Sequence, residues 1–472
     1  VSPGPRRDLG PLRGEGVGER LGVLIPERVE HEEVVDLLVL LHAPEHDLVP
    51  TLDRVAAVME LLGDPQRSFR VIHLTGTNGK TSTTRMIEGL CREHGLRTGR
   101  FTSPHLHSIR ERIAVDGAPV SAQVLVDAWD EVAPIIELVD ARSAAEDGPR
   151  MTFFEVLVVL AYAVFADAPV DVAVVEVGMG GRWDATNVAD GDVAVVTPID
   201  IDHTHFLGST VGEIAFEKAG IVKPGAALVA AGQDDAVAAI LAERGEEVGA
   251  RRYAADEDFG VTDREVALGG QLLAIRGVAG EYDEIFLPLH GAHQGANAAL
   301  ALVAVELFLG GGERRLDPEV VRAGFAAVTS PGRLEVVRRS PTILVDAAHN
   351  PHGAFALAAA LSEAFSFARL VGVVAIFADK DAAAMLEVLE PVLDHVVVTR
   401  NSSPRSMNAA VLGEIASSIF GADRVSVVPA LPDALEEAVT LAESQGMGGG
   451  VVATGSVVTA ADVRLLLGVK EF

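Results

Sequence analysis

A chain of 472 residues, 49% hydrophobic and 22% charged, has the composition of an ordinary globular protein, long enough for two or three domains of roughly 150 residues each. Its 68 acidic against 38 basic residues give a formal net charge of −30, which excludes a nucleic-acid backbone or an anionic membrane surface as partner, because both demand a basic footprint. The single cysteine, Cys91, has no intrachain disulfide partner and reads as a small buried apolar residue, and the longest tempting apolar run, Val156–Ala166, is too short to cross a bilayer. These features lead us to expect a soluble, cytoplasmic monomer.

Residues 1–46 are rich in Pro, Gly and Arg and lack the apolar core of a signal peptide, so they are expected to form a flexible lead-in with a first helix. Beyond them, strand-like apolar runs alternate with helical periodicity: Val71–Leu74, Val172–Val177, Val193–Val196, Ile343–Val345, Val371–Ile376, Val396–Thr399, Val425–Val428 and Val451–Thr454. Continuous β-branched runs between helices point to parallel sheets buried on both faces. Between about 255 and 290 the pattern changes to short Gly-punctuated segments, Gln271–Arg276 and Glu284–Leu289, which read as a small antiparallel sheet. Pro331-Gly332 follows a helix-like Val320–Val328 and marks a hinge at 331–334. The expected fold is α/β: a P-loop-type ATPase domain at 47–330, mainly parallel with a small antiparallel sheet, then a Rossmann-like domain at 335–472. Gly446–Gly450 reads as a flexible surface loop.

The first strand runs into Thr75-Gly76-Thr77-Asn78-Gly79-Lys80-Thr81-Ser82. Gly76 and Gly79 allow positive φ and turn backbone N–H groups toward phosphate oxygens, Lys80 would bridge the terminal phosphates, and the Thr81 or Ser82 hydroxyl would face Mg²⁺. Leu74 stands where the pattern G-x-x-x-x-G-K-[ST] wants glycine, so the shorter G-x-x-G-K-T remains, which an ordinary strand-to-helix turn also satisfies. Downstream, Ser103 of Phe101-Thr102-Ser103-Pro104-His105-Leu106 offers a hard oxygen for a metal, and Glu176 puts a carboxylate in an apolar strand, where a cation would compensate its burial. His203 follows another strand, at the edge where α/β sheets bind ligands, with His205 the weaker candidate. Lys218 lies on a short helix, Glu213–Gly220, and spacing alone pairs it with Glu213 or Glu217 in solvent.

Taken in order, TGTNGKTS, FTSPHL, TFFE at Thr152–Glu155, EVGMGGRWDATN, DH followed by LG, EKAG, HxxxN, PGRLE and DxAHNP resemble the bacterial folylpolyglutamate synthase and dihydrofolate synthase family, related to the Mur ligases, over about residues 47–472. The resemblance implies that ATP is bound by Gly76, Thr77, Asn78, Gly79, Lys80, Thr81 and Ser82 together with Asn297, Arg333 and Asp346. It implies two Mg²⁺ ions held by Ser103, Glu176, His203 and Lys218, the last as a carbamate, which replaces the solvent pairing suggested by spacing. It places the pterin-bearing substrate near Thr152, Phe153, Phe154, Glu155, Trp183, Asp184 and Ala185, and catalysis at Lys80, Lys218 and His349. Ala347 departs from the glycine that many relatives carry after the aspartate.

The implied reaction is ADP-forming addition of L-glutamate to dihydropteroate and reduced folates through an acyl phosphate. The alternatives are a polyglutamate synthase alone, a peptidoglycan Mur ligase, for which the stretch ahead of Gly76 leaves too little room for a UDP-binding domain, and a nucleotide-binding regulatory module, which would have no use for the intact Ser103, Glu176, His203 and Lys218.

Overall fold

The computed structural model describes residues 49–469 apart from Gln445 and Met447, so the expected lead-in at 1–46 lies outside the described residues. Eight strands form the first sheet: β1 (Arg70–Thr75), β2 (Thr98–Phe101), β3 (Ile113–Val115), β4 (Ala118–Pro119), β5 (Val172–Glu176), β6 (Val193–Val196), β7 (Ala227–Ala230) and β8 (Arg251–Ala254), in spatial order β4-β3-β2-β5-β1-β6-β7-β8. From β2 to β8 every pairing is parallel, while β3 and β4 form an antiparallel edge. After β1 the chain builds one side of the sheet through β5 and then crosses to β6 on the other side. That makes β1 the switch point, where the crevice of an open α/β sheet opens. Register places Leu74 level with both Glu176 and Val195, so the phosphate-type loop, Glu176 and the segment after β6 emerge together.

The interior strand β1 carries His73, fully buried, with Nε2 2.9 Å from Thr186 Oγ1. Burial, then Lys223, pushes its imidazole from the usual 6.5 down to about 3. A histidine depressed in the fold contributes stability above its unfolded pKa and loses it as pH falls from 6.5 toward 3, a span worth on the order of 4 kcal/mol. His73→Gln should therefore flatten the acid limb of stability between those pH values in denaturant titrations. An unchanged slope would show that His73 does not carry the effect.

Helix Lys80–Glu93 packs Met86, Ile87, Leu90 and Cys91 onto the sheet, and the buried Cys91 thiol is pushed up to about 12. Helix Ala292–Gly310 is long and apolar enough to cross a membrane by length and composition, but 78% of that stretch is buried against the first sheet and the antiparallel strands, as a core helix is. Those strands are β9 (Gly260–Ala267), β10 (Gly270–Arg276) and β11 (Glu281–Leu287), in order β11-β10-β9. The expected second segment, Glu284–Leu289, is shifted: β11 starts at Glu281 and ends before Pro288, which has no N–H to pair. β9 escaped the sequence pattern because none of its residues is buried, so no apolar face marks it.

The second sheet contains β12 (Glu335–Arg339), β13 (Thr342–Val345), β14 (Arg369–Val374), β15 (His395–Arg400), β16 (Val425–Ala430) and β17 (Gly449–Thr454), in order β12-β13-β17-β14-β15-β16 and parallel except for β12. Gly449 and Gly450 belong to β17 rather than to a flexible loop. A Cβ at Gly449 would lie 2.0 Å from the Ala442 carbonyl oxygen and one at Gly450 2.4 Å from the Phe367 ring, so close packing selects glycine there. β14 also ends two residues short of the expected Ile376.

Candidate nucleotide and ligation site

Gly79, at φ +90°, is the N-cap of helix Lys80–Glu93 and supplies no side-chain cap, which leaves the first N–H groups open to an anion. Close approach fixes both loop glycines: a Cβ at Gly76 would lie 1.9 Å from Thr197 Oγ1, and one at Gly79 would lie 2.7 Å from Asn297 Oδ1. The back of the loop is anchored by Thr77, whose N–H donates to the Pro198 carbonyl (2.9 Å) and whose hydroxyl donates to the Asp200 carbonyl (2.9 Å). Asn297 donates to Gln294 (3.1 Å), Gln294 reaches Ser82 (3.4 Å), and the Ser82 hydroxyl meets that of Ser330 (3.0 Å). Ser82 is thus held by its neighbours, whereas the Thr81 hydroxyl lies 3.0 Å from both carboxylate oxygens of Glu176.

Two lysines converge on one carbonyl. Lys80 Nζ donates to the Gly76 oxygen (3.0 Å) and to that of Thr77 (3.1 Å), and the buried Lys218 Nζ donates to the same Gly76 oxygen (2.7 Å). Burial lowers the Lys80 ammonium against the pull of Glu176 and Asp202. Lys218 is driven well below the ordinary lysine range by burial first and Lys80 second, toward the neutral amine. The pairing suggested by spacing is not formed: Glu213 caps its own helix, Val211–Ala219, with Thr210, and Glu217 takes Arg182 at 2.9 Å.

Glu176 is 1% exposed, and burial raises its carboxyl against Lys80 and Thr81. The Ser103 N–H reaches it at 3.4 Å. A desolvated carboxylate beside the Thr81 and Ser103 hydroxyl-bearing residues is the hard-oxygen environment that suits Mg²⁺. His203 stands in the left-handed region (φ +51°) with its ring 4.0 Å from Asp202. Although 46% of that side chain is exposed, the surrounding walls and nearby lysines push its imidazole down to about 4, the neutral form that ligates metals. His205 packs edge-on against Phe206.

The second half supplies the facing wall. Asp346 accepts the N–H groups of Leu334 and Ala348 (2.8 Å each) and so holds Leu334, just ahead of β12, at φ +44°; burial raises its carboxyl against Arg333. Arg333 also acts electrostatically on Lys80 and Glu176. His349 Nδ1 lies 3.0 Å from the Ala347 carbonyl, which leaves Nε2 toward Asp202 at 3.7 Å. Asp202 is the hub between the halves: Lys380 Nζ donates to it at 2.6 Å and Asn350 Nδ2 at 3.3 Å. Burial would raise its carboxyl, but His349, His203 and Lys380 hold it well below the carboxylate range. Asn78 and Asn350 exchange amide hydrogen bonds (3.2 Å each), and His352 Nδ1 is 2.9 Å from Asn78. Asp202, Asn350, His352 and Lys380 received no role from the sequence. An asparagine before the N1 proline of a helix was a readable N-cap, but Lys380 carried no local signal.

The expected substrate residues divide into two groups. Thr152 and Glu155 form the capping box of helix Phe153–Asp167, and buried Glu155 pairs with buried Arg54 at 2.9 Å, so both are committed to structure. Asp184 is likewise occupied by the N–H groups of Met179 and Thr186 (3.0 Å each), and Ala185 is buried. Phe153 lies under the Arg112 guanidinium (5.2 Å), Phe154 packs on Phe101 (5.8 Å), and Trp183 is half-buried beside Gly180. These three rings remain as surfaces for a planar ligand.

Residues 74–305 match the Mur ligase middle domain, and residues 332–457 match the Mur ligase glutamate ligase domain. The chain is 48% identical over 462 residues to a dihydrofolate synthase/folylpolyglutamate synthase of Mycobacterium tuberculosis, covering 93% of this chain and 95% of that one. It is 34% identical over 420 residues to a folylpolyglutamate synthase of Lacticaseibacillus casei, covering 89% and 95% respectively. A crystal structure of Mycobacterium tuberculosis folylpolyglutamate synthase complexed with ADP and AMPPCP superposes with a TM-score of 0.89 at 48% identity, covering 93% of this chain and 99% of that one. With the glycine loop ahead of Lys80, the buried carboxylate and the facing wall in place across a match that covers more than nine-tenths of the chain, the chain belongs to the folylpolyglutamate synthase/dihydrofolate synthase family of ATP-dependent Mur ligases.

Proposed function

We propose that the chain joins L-glutamate both to dihydropteroate and to reduced folate (poly)glutamates, in the cytoplasm, at one site, with ATP as phosphoryl donor and ADP as product. The observation that carries this reading is the open helix start at Gly79 with Lys80 beside buried Glu176, facing His349 and Arg333 of the other half. The substrate carboxylate takes the γ-phosphoryl group to form an acyl phosphate, which the glutamate amine attacks, expelling phosphate. Lys80 and the loop N–H groups offset charge on the transferring group. Asn297, Arg333 and Asp346 flank the nucleotide between the halves, whose closure keeps water from the acyl phosphate. His349, with Nε2 turned toward Asp202, is the residue to which we assign the role of base for the attacking amine.

Two Mg²⁺ ions held by Ser103, Glu176, His203 and a carbamate on Lys218 would supply Lewis-acid charge to the phosphate oxygens. A neutral Lys218 amine is the form that adds CO₂, forming the N–C bond as its proton leaves to solvent, and its burial favours that neutral form.

Dual specificity rests on Phe153, Phe154 and Trp183: half-buried rings that would pack against the pterin of either substrate if it shifts by the length of one glutamate. A polyglutamate synthase alone is the second reading, favoured by the single activity in the name of the Lacticaseibacillus casei relative. Glutamate-dependent ADP release separates the two. Turnover with both dihydropteroate and a reduced folate monoglutamate, and none with a UDP-muramyl substrate, is expected. Turnover with the reduced folate and none with saturating dihydropteroate would reduce the enzyme to the second reading.

A further inference from the structure

Helix Pro351–Ala364 is attached to the nucleotide half at both ends. Its N-cap, Asn350, exchanges hydrogen bonds with Asn78 of the phosphate loop at 3.2 Å each. Thirteen residues later, a span of about 20 Å, its last turn presents Glu363 to Arg264 of β9. The contact is bidentate: Arg264 Nη1 donates to one carboxylate oxygen at 3.0 Å, and Nη2 donates to the other. Behind Arg264 the path returns to the same loop. β9 pairs along its length with β10, and buried Gln271 of β10 donates to the carbonyls of Leu289 (2.9 Å) and Gly291 (3.1 Å). Gly291 is the N-cap of helix Ala292–Gly310, which carries Gln294 and Asn297 to Ser82 and Gly79.

We infer that the Arg264–Glu363 pair is a clasp between the two halves and that Arg264 is a positioning residue for ligation. Fixing the far end of helix Pro351–Ala364 sets the angle at which its near end, with His349 and Asn350, meets the phosphate loop. The small antiparallel sheet thereby serves the reaction from a distance, since it carries the clasp outside the crevice and braces it against the helix that flanks the nucleotide. A misaligned facing wall slows the step that needs both halves, while the loop around Gly79 and Lys80, carried whole by the first half, keeps most of its hold on the nucleotide.

This inference rests on the ligase reading, and its test uses R264E, E363R and the R264E/E363R swap in the full chain. For a partly exposed, bidentate pair each single reversal should lower kcat by about 5-fold, leave the AMPPCP dissociation constant within about 2-fold, and be rescued in the swap. Added salt should lower wild-type kcat toward that of the single variants, because the pair is accessible to screening. X-ray scattering should show a larger radius of gyration in both singles and recovery in the swap. Wild-type kcat in the single variants, or a swap slower than either single, overturns the clasp. If the wild type releases no ADP with any folate substrate, the ligase reading fails instead, and scattering alone decides the clasp: an unchanged radius in R264E and E363R overturns it.

Discussion

Lys80→Ala should lower glutamate-dependent ADP formation by about 10³-fold while leaving the fold intact, because in the proposed reaction this side chain supplies charge to a transferring phosphoryl group rather than packing. Lys80 is half-buried and spends its ammonium on the Gly76 and Thr77 carbonyls, two contacts internal to the loop it serves. Lys218 still donates to the Gly76 oxygen at 2.7 Å, so that carbonyl keeps a partner. Thermal unfolding should therefore stay close to wild type. Normal turnover in a folded Lys80→Ala protein would show that the loop is not the catalytic ATP site, and a large loss of stability would make the lysine structural.

Glu176→Gln should separate activity from stability in the same direction and more sharply. The carboxylate is almost wholly buried at the end of β5, and burial works against its charge. A neutral amide keeps the size and still offers an acceptor to Thr81, so the metal-free protein should be as stable as wild type or about 1–2 kcal/mol more stable. Turnover should fall by about 10²-fold or more, since the site loses its buried anionic oxygen. Near-normal activity, or a marked drop in melting temperature without Mg²⁺, would identify Glu176 as an ordinary structural partner of Lys80.

What the sequence revealed and what it hid follow from range. The phosphate loop, Glu176 at a strand end and the β/α alternation are local patterns, and register in the sheet then brings Glu176 level with Leu74. The Asp202–Lys380 and Asn78–Asn350 contacts join residues 178 and 272 positions apart, and no local periodicity encodes such a meeting. Thr152-Phe153-Phe154-Glu155 differs in kind: a threonine followed three residues later by glutamate ahead of an apolar run is a capping-box signature, so the structural role of its two polar ends was legible, while the packing of its two rings was not. The helix of Lys218 illustrates the limit of spacing arguments. Its glutamates were within reach in sequence, yet one closes a helix cap and the other meets Arg182, because burial turned the lysine inward to the loop.

The most direct test of the account is a reaction run with a reduced folate whose terminal carboxylate carries heavy oxygen, together with ATP, Mg²⁺ and L-glutamate. Passage through an acyl phosphate requires one labelled oxygen to leave with the phosphate released for each glutamate added, and release of label should cease in Lys80→Ala. Phosphate free of label, formed in step with the glutamylated product, would contradict carboxylate activation at this site and with it the central claim.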